Sequence, residues 1–159
     1  MSLERNILKN YYKILEENMI SKYRKSKFIE VDFDKNEKTK DLWKKHDKAL
    51  DKIKLCEAKP KKSLLDLKIE IAERIFKNCH FCERRCSVDR NKENGKCGVK
   101  NASIASQFLH IGEENVLVPS HTIFFSGCTF NCVFCQNWDI SQRISGLYVS
   151  SEKMADIVE

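Results

Sequence analysis

At 159 residues, with 42% hydrophobic and 33% charged side chains, the chain has the size and apolar content of one ordinary domain with a buried core. It is too short for a complete (β/α)8 barrel, which takes about 250 residues, or about 200 at its leanest. The net charge of +6 is uneven, with 27 basic against 17 acidic residues in 1–100 and 2 against 6 in 101–159; because the lysines alternate with carboxylates, a solvated surface is favoured over binding to nucleic acid or an acidic protein.

The opening Met1-Ser2-Leu3-Glu4-Arg5-Asn6 carries charges and has no apolar core segment, so it does not read as a secretory peptide. No stretch approaches the ~18 apolar residues of a membrane span. A cytoplasmic, reducing setting with no membrane partner is expected, where clustered cysteines more often bind metal than pair.

Leu3, Ile7, Leu8, Tyr11, Leu15 and Met19 recur at helical spacing, as do Leu42, Trp43, His46, Ala49, Leu50 and Ile53. The polar stretch 21–40 between these two amphipathic helices holds a short extended piece at Ile29, Val31 and Phe33. Pro60 and its flanking lysines then interrupt, closing a charged helical region over 1–60. Ser63 with Asp66 three residues on is a capping-box-like start for a third helix through Lys77, presenting Leu64, Leu67, Ile71 and Ile75 to a core. Cys56 reads as a half-buried hydrophobe and not as a ligand.

Residues 61–100 combine that third helix with a cysteine-rich module. Cys79, Cys82, Cys86 and Cys97 form C-x2-C-x3-C-x10-C, and Gly95 and Gly98 allow the turns that return the last sulfur to the first three. Four thiolates fill a tetrahedral zinc site or hold an iron–sulfur cluster with no open position; the spacing does not choose between the two metals. His80, between two candidate ligands, could replace one of them at zinc. Arg84, Arg85, Arg90, Lys92, Lys96 and Lys100 either favour thiolate over thiol or form a solvated face.

In the last segment, 101–159, Thr122-Ile123-Phe124-Phe125 reads as a strand. It runs into Ser126-Gly127-Cys128-Thr129-Phe130-Asn131-Cys132-Val133-Phe134-Cys135. The three cysteines are also i, i+4 and i+7, the spacing of a helical core stripe, but Gly127, Asn131 and the preceding strand favour a loop with available thiolates. A cluster held by three cysteines keeps one iron free for a further ligand, whereas one held by four is closed. Ser150-Ser151-Glu152 starts a final helix with Met154, Ala155, Ile157 and Val158 at helical spacing.

The C-x3-C-x2-C loop with Phe134 before its last cysteine resembles the cluster loop of radical S-adenosylmethionine (SAM) enzymes. The flanking runs His121–Gly127 and Cys135–Gln142, the upstream cysteines and His110-Ile111-Gly112-Glu113-Glu114 narrow the resemblance, over about residues 64–149, to the pyruvate formate-lyase activating enzyme-like branch. It implies that Cys128, Cys132 and Cys135 hold a [4Fe–4S] cluster, that SAM chelates the open iron, and that Phe134 sits against the adenine. It implies further that one electron, from a reductant such as ferredoxin or flavodoxin, splits SAM into methionine and a 5′-deoxyadenosyl radical that abstracts hydrogen from a protein or small-molecule substrate, the cofactors doing the bond breaking.

The fold class expected is α/β, with amphipathic helices and a small cysteine-rich metal module leading into the first strand, cluster loop and first helix of an incomplete partial (β/α) barrel. The later family segments have no positions here, so the resemblance implies the front part of a longer enzyme, inactive alone and lacking a C-terminal half. A non-enzymatic iron–sulfur or zinc protein for electron transfer or partner docking is the competing reading, and a basic zinc module for nucleic acid is third. His46, His110 and His121 are isolated, and no catalytic acid or base is named.

Overall fold

The apolar residues of the first half condense around one extended segment and two helices, and a computed structural model describes this arrangement for residues 6–158. Leu3 and Glu159, which belong to the expected first and last helices, lie outside the described residues. The chain divides into two compact units, one up to Arg74 and one from Ile75.

In the first unit, helix α1 (Lys9–Leu15) buries no side chain, and α2 (Lys22–Phe28) buries only Ser26. The second of these was not expected, because its sequence KYRKSKF has no apolar stripe. Ile29, Val31 and Phe33 are buried, as their alternation with Glu30, Asp32 and Asp34 predicts. The other buried apolar side chains of this unit come from α3 (Thr39–Asp51), which contributes Leu42, and α4 (Leu64–Lys77), which contributes Leu64, Leu67 and Ile71. The extended segment is held by backbone bonds from Val31 N to the Lys62 carbonyl (3.2 Å) and from Leu64 N to the Ile29 carbonyl (2.8 Å). Trp43 and Leu50, expected on the apolar face of α3, are substantially exposed, and Ile53, expected in the same helix, lies beyond its end at Asp51 and is exposed as well. Arg74 gathers the remaining loop. Its guanidinium donates to the carbonyls of Lys35 (2.7 Å) and Glu37 (2.6 Å), to Thr39 Oγ1 (3.2 Å) and to Glu70 Oε1 (2.8 Å).

The start of α4 is a capping box. Ser63 N and Oγ both donate to Asp66 Oδ2, at 2.8 and 2.6 Å, and Asp66 N donates to Ser63 Oγ at 3.3 Å. The Ser63 hydroxyl, then its amide, hold the Asp66 carboxyl below the ordinary aspartate range. A carboxylate favoured by folding contributes stability above its unfolded pKa and loses it as pH falls through the lower folded value. Asp66→Asn is therefore expected to cost about 1 kcal/mol near neutral pH and to flatten the acid side of the stability–pH curve, measured by urea unfolding at several pH values. Equal losses at neutral and strongly acid pH would exclude the carboxylate as the cause.

The second unit carries a three-stranded antiparallel sheet in the order β2-β1-β3, built from β1 (Ser103–His110), β2 (Ser120–Phe125) and β3 (Leu147–Tyr148). β2 contains the strand expected at Thr122–Phe125, but it is not the first. The central strand β1 precedes it. Ser103, Ala105, Ser106 and Gln107 have weak strand preference, and β1 gains its conformation from two-sided pairing instead of from propensity. Phe108 stacks on Phe124, with ring centroids 6.0 Å apart. The register shifts between Ile104 and Ser106, a bulge close to where β2 ends. Helix α5 (Trp138–Ser141) and the final α6 (Ser151–Val158), which starts where expected, complete the unit. The described architecture is thus mixed α and β, with antiparallel pairing throughout its one sheet. Among the described residues of this unit, buried apolar side chains are few: Cys79, Ile104 and Val149.

Candidate metal centre

β2 delivers the chain to Ser126, whose amide donates to the Ser103 carbonyl at 2.8 Å, and Gly127 turns it out of the sheet at φ +90°. The Gly127 amide donates to the Ile140 carbonyl (2.8 Å), so the loop between β2 and α5 is tied at its base. No part of 126–137 is helical or strand, which removes the core-stripe reading of the cysteine spacing. Cys128, Cys132 and Cys135 all lie on this loop, each partly exposed and each a free thiol. Phe130 N approaches Cys128 Sγ at 3.4 Å, Cys135 N donates to the Cys132 carbonyl at 3.3 Å, and Ser141 Oγ lies 3.4 Å from Cys135 Sγ.

Two side chains outside the cysteine run hold its backbone. Gln142 Nε2 donates to the Phe130 carbonyl (3.0 Å), and Arg84 Nε, from the upstream cysteine segment, donates to the Thr129 carbonyl (2.9 Å). Around the thiols, Phe130, Val133 and Phe134 face outward, Val133 and Phe134 at 98% and 87% exposure. Apolar surface presented in this way marks a place where something else binds.

The upstream cysteines are gathered only in part. Cys79 exchanges backbone bonds with the chain beyond Cys86, its amide donating to Val88 O (2.9 Å) and its carbonyl accepting from Ser87 N (2.8 Å). This closes a knuckle in which Arg85 and Ser87 adopt left-handed φ of 38° and 57°. Cys86 Sγ comes to 4.0 Å from the Cys79 carbonyl. The Lys96 amide, then those of Val88 and Cys86 together with the Cys79 thiol, lower the Cys86 pKa from the usual cysteine value against the opposing effect of burial. Cys82 lines a cavity of about 370 Å³ shared with Arg84, Thr129, Phe130 and Asn131, while Cys97 lines one of about 340 Å³ shared with Arg90, Lys100 and Cys128. His80 is exposed and donates through Nδ1 to the Asn78 carbonyl at 2.6 Å. Cys56 is half-buried in the first unit, as its sequence context predicts.

Among the described residues, no three His, Cys, Asp or Glu side chains form a group ready to hold a single metal ion. The donor set of the Cys128 loop, three free thiols with no fourth in the loop, has the chemistry that a cube with one open iron requires. Arg84 and Arg90 were legible in the sequence only as positive charge. The structure separates them: Arg84 is an exposed tether, and Arg90 is buried at 9% exposure, with Nη1 3.7 Å from Cys79 Sγ and its guanidinium 5.2 Å from the Phe76 ring.

These features place two cysteine-bearing segments in one unit, joined by the bond from Arg84 to the Thr129 carbonyl. Over 143 residues the chain is 50% identical to an uncharacterised protein of the archaeon Methanocaldococcus jannaschii, a match that takes in 85% of this chain and 42% of that protein. The chain thus spans less than half the length of the relative it matches. No family model and no solved structure matches it. No helix among the described residues is long and apolar enough to cross a membrane.

Proposed function

We propose that the chain binds a [4Fe–4S] cluster through Cys128, Cys132 and Cys135 and belongs to a protein of the radical SAM type, similar to the glycyl-radical activating enzymes. The observation that carries this reading is the set of three free, partly exposed thiols on one irregular loop directly after a strand, with no fourth thiol in that loop. When bound, cluster and SAM would together supply one-electron cleavage of a sulfonium carbon–sulfur bond. The chain's own residues would hold and shield the site. The Phe130 amide would lie against the Cys128 sulfur, Arg84 and Gln142 would fix the carbonyls between Cys128 and Cys132, and the exposed Phe134 ring is available to lie against the adenine. The reductant class proposed is a ferredoxin or flavodoxin, and the substrate a protein or small molecule.

Anaerobic reconstitution with iron and sulfide tests this. The reduced chain is expected to give a cluster signal by electron paramagnetic resonance that changes when SAM is added, and Cys132→Ala is expected to abolish it. A cluster whose spectrum ignores SAM would point to an electron carrier or docking protein. Absence of any cluster dependent on these three cysteines would sink both.

A further inference from the structure

We propose that Cys79, Cys82, Cys86 and Cys97 form a second and separate site, for one tetrahedral divalent ion of the zinc class, which staples the segment 78–102.

The first reason is energetic. From Asn78 to Ala102 the chain has neither helix nor strand, and the side chains it buries are Cys79 and Arg90. An irregular stretch of this length is uncommon inside a compact unit, and ordering its backbone costs roughly 1–2 kcal/mol per residue. Two buried side chains cannot offset that. Small units with sparse cores are ordinarily held by a disulfide or a structural metal, and all four of these cysteines are free thiols.

The second reason is charge. Arg90 is buried, its Nε has no hydrogen-bond partner, and its Nη1 points at Cys79 Sγ. The carboxylate beside it in sequence, Asp89, is bonded to the Asn91 amide and paired with Lys92. A buried guanidinium without a carboxylate requires negative charge nearby, and a metal site with four thiolates carries an excess of it. Phe76, whose carbonyl accepts the Arg90 amide at 2.9 Å and whose ring lies under the guanidinium, keeps this cation in place.

The third reason is shape. A Cβ on Gly95 would stand 3.1 Å from Cys86 Sγ, so the chain passes against this sulfur where a side chain would crowd it. Gly98 N then donates to the Gly95 carbonyl at 2.8 Å in the turn that carries Cys97. The backbone pairing of Cys79 with Ser87 and Val88 already sets the Cys86 sulfur against the Cys79 carbonyl, and binding draws the four thiolates together. This site is independent of the cluster proposed at Cys128, Cys132 and Cys135. Through Arg84, two residues beyond Cys82, it also fixes the Thr129 carbonyl of that loop.

The test uses the full chain carrying Cys128→Ala, Cys132→Ala and Cys135→Ala, so that only the upstream thiols remain alongside Cys56. Zinc sulfate titrated anaerobically against a chromophoric chelator should bind at one ion per chain. Cobalt chloride should give thiolate-to-metal charge-transfer bands, with the visible bands of a tetrahedral ion. Cys86→Ser should weaken zinc by well over tenfold, and Arg90→Gln by about 10–100-fold, the range for partners of metal ligands. In case a variant misfolds, the chain with its native cysteines provides a second reading: chelation should open 78–102 to proteolysis, and zinc should restore protection. Iron and sulfide bound at these four cysteines, zinc binding lost with the Cys128 loop, or protease protection indifferent to zinc would each overturn the proposal. Failure of cluster assembly at the loop, with zinc still bound upstream, would overturn the function proposed above and leave this inference standing.

Discussion

Leu64→Ala is expected to destabilise the first unit by about 2–5 kcal/mol, the cost of removing buried methyl groups and leaving a cavity that the surroundings only partly fill. Leu42, Leu64 and Leu67 have no exposed surface, and together with Ile29, Val31, Phe33 and Ile71 they account for the buried apolar side chains described in this unit. In a core this small one leucine is a large share. Typical domains are stable by only about 5–15 kcal/mol, so the variant is expected to lie near its unfolding midpoint at moderate denaturant. Equilibrium urea unfolding measures the change. Ile69 is the control, because it lies on the same helix but is half exposed, and Ile69→Ala should fall within about 0.5 kcal/mol of the parent. Equal losses at the two positions would mean that the core has been misplaced.

Gly127→Ala is expected to damage the cysteine loop through two separable effects. At φ +90° any side chain strains the backbone, by about 1–2 kcal/mol. The new Cβ would also fall 2.2 Å from Val99 Cγ2, forcing a displacement of the overpacking kind that costs about 1–3 kcal/mol. Since Gly127 immediately precedes Cys128, that displacement moves the first thiol of the loop. Reduced stability and reduced iron loading on anaerobic reconstitution are both expected. Val99→Ala removes the colliding methyl, so a double-mutant cycle should return the packing part of the loss and leave the conformational part. A cycle with no coupling between positions 99 and 127 would contradict this geometry.

Much of the first unit was legible because its signals are local. The alternation of Ile29, Val31 and Phe33 with acidic residues, the Ser63–Asp66 pair, and the spacing of Leu64, Leu67 and Ile71 each operate within a few residues, and all three appear in the structure. The outer face of α3 was over-read. Trp43 and Leu50 have helical spacing, but burial depends on how much neighbouring surface reaches them, and spacing does not report that; Ile53 continues the spacing, yet the helix stops at Asp51. β1 was missed for the complementary reason: serines, alanine and glutamine carry little strand preference, and its conformation comes from pairing with β2, which begins ten residues after β1 ends, and at Ser103 and Ile104 with the distant β3.

At the candidate site, the sequence by itself determined the donors: which thiols exist, that three stand four and three residues apart after a strand, and that Gly127, Gly95 and Gly98 permit the turns. Donor identity and short spacing are written in the covalent chain. Only the tertiary structure decided that the Cys86 sulfur approaches the Cys79 carbonyl while Cys82 and Cys97 line cavities, that Arg84 reaches the Thr129 carbonyl forty-five residues away, and that Arg90 is buried beside Cys79 while Arg84 remains exposed. These depend on which distant segments pack together. An arginine in a basic run has the same composition whether it faces water or a sulfur, and only folding assigns its partner.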